Sequence, residues 1–372
     1  MTNPSPPTRE GEFVVPPDEV PAGRKTTGRI ILWAASLLLV GLALVQTLYA
    51  AGAIAFGFAT WRPVLYAYGV WGVALGVGQV LTRGEKGYRA LFVLPAALFT
   101  LAVAVFPTLF ALYIATLDWN LSSVSGPHFA GLDNFIQMFH DAYYWNALGN
   151  MLYYLAAVFV EYAIAFALAL LLNAEIRARK FFRVAFLLPF MLSPVAVSWM
   201  IGKSLMEYRF GPAARLARDL GWQTPAFFAD PWTAWLSIEA MDAWMWIPFM
   251  VILLLAGLQG LSREVLEAAK VDGASGWQAF WRVIFPLMLP VSITTVMIRV
   301  IFKFKLADIV INVTSGGPGG ATDTVSSFIY RVYRDRSNVG YGTALAIFYL
   351  VLIIALLLFL LKWSNRFRRN VT

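Results

Sequence analysis

Eight stretches of this chain are each long and apolar enough to cross a lipid bilayer, near 30–58, 63–81, 90–117, 146–172, 184–202, 234–258, 287–310 and 340–361. A hydrocarbon core of about 30 Å takes about 20 apolar residues per helix. Inside it only a helix or a closed barrel satisfies every backbone N–H and C=O. The pattern predicts an all-α, polytopic membrane helix bundle with eight transmembrane helices. The first window is long enough to tilt or to include an interfacial piece. Composition points the same way: 59% of the residues are hydrophobic and 13% charged, where a soluble domain carries about 25% charged residues.

Residues 1–29 are polar and hold Pro4, Pro6, Pro7, Pro16, Pro17 and Pro21, which predicts a disordered tail. The window from Ile30 has no convincing small-residue cleavage site, so it reads as a retained span. Eighteen of the 29 Lys and Arg fall on the side of the N-terminus, eight fall opposite, and Arg299, Lys303 and Lys305 lie in the seventh window. That asymmetry predicts both termini in the cytoplasm. It also accounts for the net charge of +8 without nucleic acid. With no Cys and only His128 and His140, thiolate and histidine-rich metal sites are excluded. No GxxxxGK[ST] phosphate loop occurs, so the chain cannot cradle ATP in that way.

The segment Ser262–Pro290 predicts two short helices with a bend. Ser262 is placed as an N-cap, with Glu264 favourable to the helix dipole. Gly273 supplies a left-handed stop. Ser275 and Gln278 form a capping box opening a second helix from Gly276 to about Phe285. Pro286 and Pro290 then mark the entry to the next span. Elsewhere, Gly72 and Gly76 give a GxxxG packing face, and the run Gly316-Gly317-Pro318-Gly319-Gly320 predicts a flexible turn.

Glu267-Ala268-Ala269, followed after three residues by Gly273 and after nine more by Val283-Ile284-Phe285-Pro286, resembles the EAA motif of ABC-importer permeases. Val283 and Phe285 are mild departures from that pattern. Asp272-Gly273-Ala274, Phe129–Phe135 (FAGLDNF), Phe182-Arg183 with Leu188-Pro189, and Thr314–Pro318 with Thr322 resemble the sugar-transport branch of the family, in particular its larger maltose-permease-type subunit. The resemblance implies a six-helix permease core over 90–370, preceded by two extra N-terminal transmembrane helices over 30–82. The cytoplasmic loop 262–286 would seat in a separate ATPase, with Glu267, Ala268, Ala269, Asp272 and Gly273 carrying the contact. It further implies ATP-driven, binding-protein-dependent import of a carbohydrate or polyol by alternating access in the bacterial inner membrane. The implied partners are a second permease subunit, an ATPase dimer that uses ATP and Mg, and a periplasmic substrate-binding protein. The permease itself would bind no cofactor and catalyse nothing. FKFKLAD within Arg299–Asp308 is closer to polyol- and glycerol-type permeases than to disaccharide ones.

Charges within spans cost about 2.5–3.5 kcal/mol each at mid-bilayer, so each needs an account. Glu161, mid-way along the fourth window, and Arg299, in the seventh, either pair inside the bundle or find separate partners. Lys305 and Asp308 are spaced to meet on one helix face. Lys303 and these neighbours either snorkel or, as the resemblance implies, line a substrate path. Asp242, Trp244, Trp246 and Asn312 are further path candidates, the two tryptophans having an aromatic belt or bundle packing as the alternative. The Gly316–Gly320 loop either meets the binding protein or simply connects spans. An ion-coupled secondary transporter, with Glu161, Arg299 and Asp308 as relay groups, is the competing reading. A membrane enzyme lacks any useful cluster of loop carboxylates or metal ligands.

Overall fold

A computed structural model describes residues 20–50, 52–174 and 179–369. Its contacts divide the chain into two units, Met1–Phe110 and Ala111–Thr372. The division falls inside the third span rather than at the start of the expected core at 90.

The N-terminal unit holds α1 (Ala22–Ala50), α2 (Arg62–Arg83) and the first part of α3 (Glu85–Ala115). Helix α1 begins before Ile30, so 22–29 are helical rather than part of the expected tail; residues 1–19 of that tail lie outside the described residues. It stops well short of 58 because the chain turns at Gly52 (φ +71), and the Gln46 side chain then ties back to the backbone N–H and C=O of Phe58 at 3.0 and 3.1 Å. Gly72 and Gly76 are packing positions: a Cβ on either would lie 2.7 Å from Leu98 or Leu91 of α3. Tyr68 Oη also donates to the Leu98 carbonyl at 2.6 Å. These contacts explain why the start of the third span associates with the first two.

In the second unit the long helices are α5 (Ala142–Asn173), α9 (Pro231–Gln259), α11 (Gly276–Lys303) and α14 (Val339–Arg369), with the short α8 (Pro212–Asp219) before α9 and α13 (Val325–Arg334) before α14. Between α3 and α5, a two-stranded antiparallel ribbon, Leu117–Asp118 against His128–Phe129, leads to the short α4 (Asp133–His140). Buried Asn134 donates to the carbonyls of Ala115 and Leu117 at 3.0 and 2.8 Å. The FAGLDNF segment therefore anchors the loop to the end of the third span.

The fifth window is not straight. It forms α6 (Arg179–Met191) and α7 (Pro194–Leu205), whose axes bend by 96° at the break. Phe186 packs in an apolar cluster with Phe166, Leu254 and Met288, whereas Val197 belongs to a second cluster with Tyr144, Ile238 and Phe328. Lys203 Nζ reaches the Val313 carbonyl at 3.1 Å. Seven of the described helices are long and apolar enough to cross a membrane, and counting the bent pair as one span brings the number to the eight expected.

The seventh span also differs from its window, since α11 ends at Lys303 and α12 (Asp308–Val313) is a separate helix. The unwound stretch between them has its carbonyls served from elsewhere. Ser326 Oγ and Tyr349 Oη donate to Phe304 O at 2.7 and 3.1 Å, and Thr324 Oγ1 donates to Leu306 O. Such donors are what irregular backbone within a membrane requires. At its start, α11 is continuous from Gly276 through a π turn at Phe280–Ile284. The expected break ahead of Pro286 is absent: Pro286 follows the widened turn, where its missing N–H does least harm.

The glycine-rich loop is tied down, contrary to the flexible turn expected. Gly316 and Gly320 adopt φ of +84 and +86, and a Cβ at Gly316 would lie 2.2 Å from Asp323 Oδ1. Asn146 and Asn150 donate to Gly320 O at 2.8 and 2.9 Å, and Thr322 Oγ1 donates to Gly317 O at 2.7 Å. Hydrogen-bonding side chains from α5 override the intrinsic looseness of glycine.

Because the chain has no native cysteine, its topology can be read by single cysteines. Thr224→Cys should react with a membrane-impermeant maleimide from the same side as Ser122→Cys, and Ser275→Cys from the opposite side. Labelling of Thr224→Cys from the side opposite Ser122→Cys, with Ser275→Cys then labelled from the Ser122 side, would show that the bent pair does not cross.

Candidate functional site

Five charged side chains from three helices meet inside the second unit. Glu161 of α5, Glu239 and Asp242 of α9, and Arg299 and Lys303 of α11 are all buried, Arg299 and Lys303 at 0% exposure. Helix periodicity sets this up, since Glu239 and Asp242 are three apart and Arg299 and Lys303 four apart, so each pair shares a face. Glu161 sits one turn beyond Val158 of one apolar cluster and one turn before Ala165 of the other, at the seam between them.

Arg299 grips Glu161 with two parallel bonds, Nε to Oε2 at 2.5 Å and Nη2 to Oε1 at 2.9 Å, and Nη2 also contacts Asp242 Oδ2. Such a fork is the strong form of charge-assisted bond. Lys303 Nζ stands at the centre, 3.0 Å from Glu161 Oε1, 2.7 Å from Glu239 Oε2 and 2.6 Å from Asp242 Oδ2. Oxygens of the three carboxylates lie within 4.8 Å of one another, a spacing suited to a cation, and the ammonium supplies that cation. The Arg299 guanidinium carbon stands 5.2 Å from the Trp246 ring centroid, and Lys303 Nζ 5.6 Å from that of Tyr154. Phe302 covers Trp246 as well, with centroids 4.4 Å apart.

The structure therefore gathers Glu161, Asp242, Trp246, Arg299 and Lys303, and pairs Glu161 with Arg299. It separates Trp244 from them: two residues along a helix is a rotation of about 200°, and Trp244 is 40% exposed on the outside of the chain. Asn312 is also apart, on α12, with its Nδ2 donating to its own helix at Asp308 O (2.7 Å). Among the described ion pairs none joins Lys305 to Asp308, because the helix that would have aligned them ends at Lys303; Lys305 lies over Phe302 instead, at 5.6 Å. Glu239 is the member that sequence reasoning missed. Its signal was present in the spacing to Asp242 on one face of an apolar window.

A second site lies at the other end of α11. Helix α10 (Arg263–Val271) closes on Gly273 (φ +76), with Ala274 N–H to Ala269 O at 3.0 Å and Gly273 N–H to Lys270 O at 3.1 Å, the paired bonds of a Schellman stop. Ser275 and Gln278 then make a reciprocal capping box. Ser262 occupies the N-cap position without a side-chain cap bond. Glu267, Ala268, Asp272 and Gly273 are exposed and Ala269 is buried. Val271 and Trp277 are also exposed, at 87% and 72%. The turn between the two helices is thus fixed by a Schellman stop on one side and a capping box on the other, with apolar side chains and a carboxylate exposed around it.

Outside the spans, buried Asp323 pairs with Arg331 and accepts from Ser327 Oγ at 3.0 Å. Burial holds its carboxyl above the ordinary value despite the pull of Arg331.

Comparison with known proteins supplies the context. Residues 69–370 match the family described as binding-protein-dependent transport system inner membrane component. The chain is 29% identical over 289 residues to the trehalose/maltose transport system permease protein of Thermococcus litoralis, covering 77% of this chain and 96% of that one. It is 31% identical over 285 residues to a probable ABC transporter permease protein of Sinorhizobium fredii, covering 75% and 92%. Over 283 residues it is 29% identical to the sn-glycerol-3-phosphate transport system permease protein of Agrobacterium fabrum, covering 74% and 94%. The fold matches that of a bacterial ABC transporter importing alginate, with a TM-score of 0.65 at 22% identity over 75% of this chain and 95% of that one.

Removing one member of a buried ion cluster costs about 3–5 kcal/mol because its partners stay charged and buried. Lys303→Met should destabilise the protein by that order, and adding Glu239→Gln should recover part of the loss. Thermal unfolding of the two single variants and the double variant in detergent checks this; strictly additive shifts would mean that the two groups do not interact.

Proposed function

We propose, for a chain that belongs to the family of binding-protein-dependent transport system inner membrane components, that the cargo is a carbohydrate or polyol and that Asp242, Trp246, Arg299 and Lys303 border its path. The chain is a multi-pass membrane permease subunit of an ABC importer rather than an enzyme, and hydrolysis of ATP belongs to a separate ATPase. The ion-coupled reading finds no support in this family. Within the proposal, the assembly contains a second permease subunit, two ATPase subunits and a periplasmic substrate-binding protein, with both termini of this chain in the cytoplasm.

The observation that carries the reading is the exposed, doubly capped Arg263–Gln278 loop, continuous through α11 with the buried charges. Its exposed Glu267 and apolar Val271 and Trp277 suit a groove on an ATPase. Motion imposed on its second half would travel along α11, through the π turn at Phe280–Ile284 and past Pro290, to Arg299 and Lys303. The bend of the fifth span and the unwound 304–307 stretch are where the path would open and close. The relatives include permeases named for trehalose and maltose and one named for glycerol 3-phosphate, so family membership leaves the charge of the cargo open.

Glu267→Lys should abolish ATP-driven uptake in proteoliposomes carrying the full importer and weaken co-purification of the ATPase, while leaving the thermal stability of the permease within about 0.5 kcal/mol, as expected for an exposed position. Uptake and assembly at wild-type level would remove the docking role.

A further inference from the structure

Helix α4 (Asp133–His140) carries three stripes at helical spacing, and each meets a different environment. Asn134 and Met138, one turn apart, are buried, Asn134 on the carbonyls of Ala115 and Leu117 and Met138 in an apolar cluster. Asp133, Gln137 and His140 form a polar, exposed stripe. The third stripe, Leu132 just ahead of the helix with Ile136 and Phe139, is apolar, yet 66%, 55% and 54% exposed. At about 100° per residue the three stripes divide the helix into roughly equal thirds. One third is taken by the protein and one is suited to water, which leaves the apolar third in need of a partner.

That third is continuous with the sides of two membrane spans. Phe139 meets Phe348 edge-on, with ring centroids 5.7 Å apart, and its ring lies 6.2 Å from that of Trp145, whose Nε1 donates to Phe139 O at 3.1 Å. Phe348 belongs to the span Val339–Lys362, about 14 Å along it at 1.5 Å per residue. Eleven residues further, on the same face, Phe359 is exposed on the side of that span. Trp145 stands near the start of the span Ala142–Asn173, beside exposed Tyr143. Tyrosine and tryptophan are the side chains that collect where water gives way to hydrocarbon.

We propose that α4 is an interfacial helix whose Leu132, Ile136 and Phe139 rest in the acyl-chain boundary of the adjoining leaflet, so that the phospholipid surface is the partner of this face. Helices of this kind sink their apolar side about 5–10 Å into that boundary. No Lys or Arg occurs between residues 118 and 145, so the seating draws on apolar burial and not on headgroup charge. Asn134 ties α4 to the backbone at Ala115 and Leu117. Lipid under α4 therefore also fixes the level at which the third span leaves the membrane. Neither the cargo nor the ATPase enters this contact.

The test is electron paramagnetic resonance of nitroxide labels on Leu132→Cys, Ile136→Cys and Gln137→Cys, one at a time, in the full importer reconstituted in phosphatidylcholine vesicles. This chain has no cysteine of its own, and the other subunits must carry no reactive one. Labels at Leu132→Cys and Ile136→Cys should be relaxed more by oxygen, which concentrates in hydrocarbon, than by a water-soluble nickel complex. The oxygen-to-nickel ratio at Ile136→Cys should exceed that at Gln137→Cys about tenfold, and adding phosphatidylglycerol should leave it unchanged. Two apolar positions are read so that a label that disturbs one leaves the other. Equal access of the nickel complex to Ile136→Cys and Gln137→Cys would put this face in water. Shielding of both apolar positions from oxygen and nickel alike would put another protein on it, and a ratio that rises only with phosphatidylglycerol would make charge the source of the contact. Any of these three results would overturn the inference.

Discussion

Five ionisable side chains buried in a membrane bundle are tolerable only because they answer one another. Removed from water singly, each would carry a desolvation cost that no packing contact offsets. Brought together, Arg299 and Lys303 satisfy three carboxylates from two other helices. The register of α5, α9 and α11 is thereby fixed, because sliding any one helix by a single residue would rotate its charges into lipid or into apolar neighbours. The two apolar clusters above and below Glu161 can be filled with interchangeable hydrophobic groups. The charges between them cannot be exchanged in that way.

This arrangement places mechanical and chemical elements on one continuous piece. Helix α11 starts at the Ser275 capping box and ends at Lys303, a rise of about 40 Å at 1.5 Å per residue. Its π turn at Phe280–Ile284 widens the helix where the aromatic side chains of Trp277, Phe280, Trp281 and Phe285 crowd together. The Ser275 capping box and the ammonium at the centre of the cluster therefore sit at the two ends of one helix.

Much of this was legible in the sequence, for local reasons. Hydropathy located the spans, and Gly273, Ser275 and Gln278 announced their stop and cap because those signals act over a few residues. Glu161 and Arg299 could be matched by sign and depth. The features that were not legible depend on distant partners. The seventh window runs apolar past Lys303, and nothing within it says that Ser326 and Tyr349 will take the carbonyl of Phe304. The glycine run reads as loose until Asn146 and Asn150 are seen to hold it. Glu239 was overlooked because its spacing to Asp242 acquires meaning only from the facing Lys303, 64 residues away in the chain.

The break after Lys303 also bears on how such chains can be recombined. Its carbonyls are satisfied by hydroxyls from Thr324, Ser326 and Tyr349, which belong to the start of the helix Val325–Arg334 and to the last helix. A chimera joined between residues 304 and 324 would keep these carbonyls satisfied only where the other parent supplies hydroxyl donors at the positions of Thr324, Ser326 and Tyr349. The last third of the molecule is accordingly a single heritable block, and crossovers that respect it belong before α11 or within the loop ahead of it.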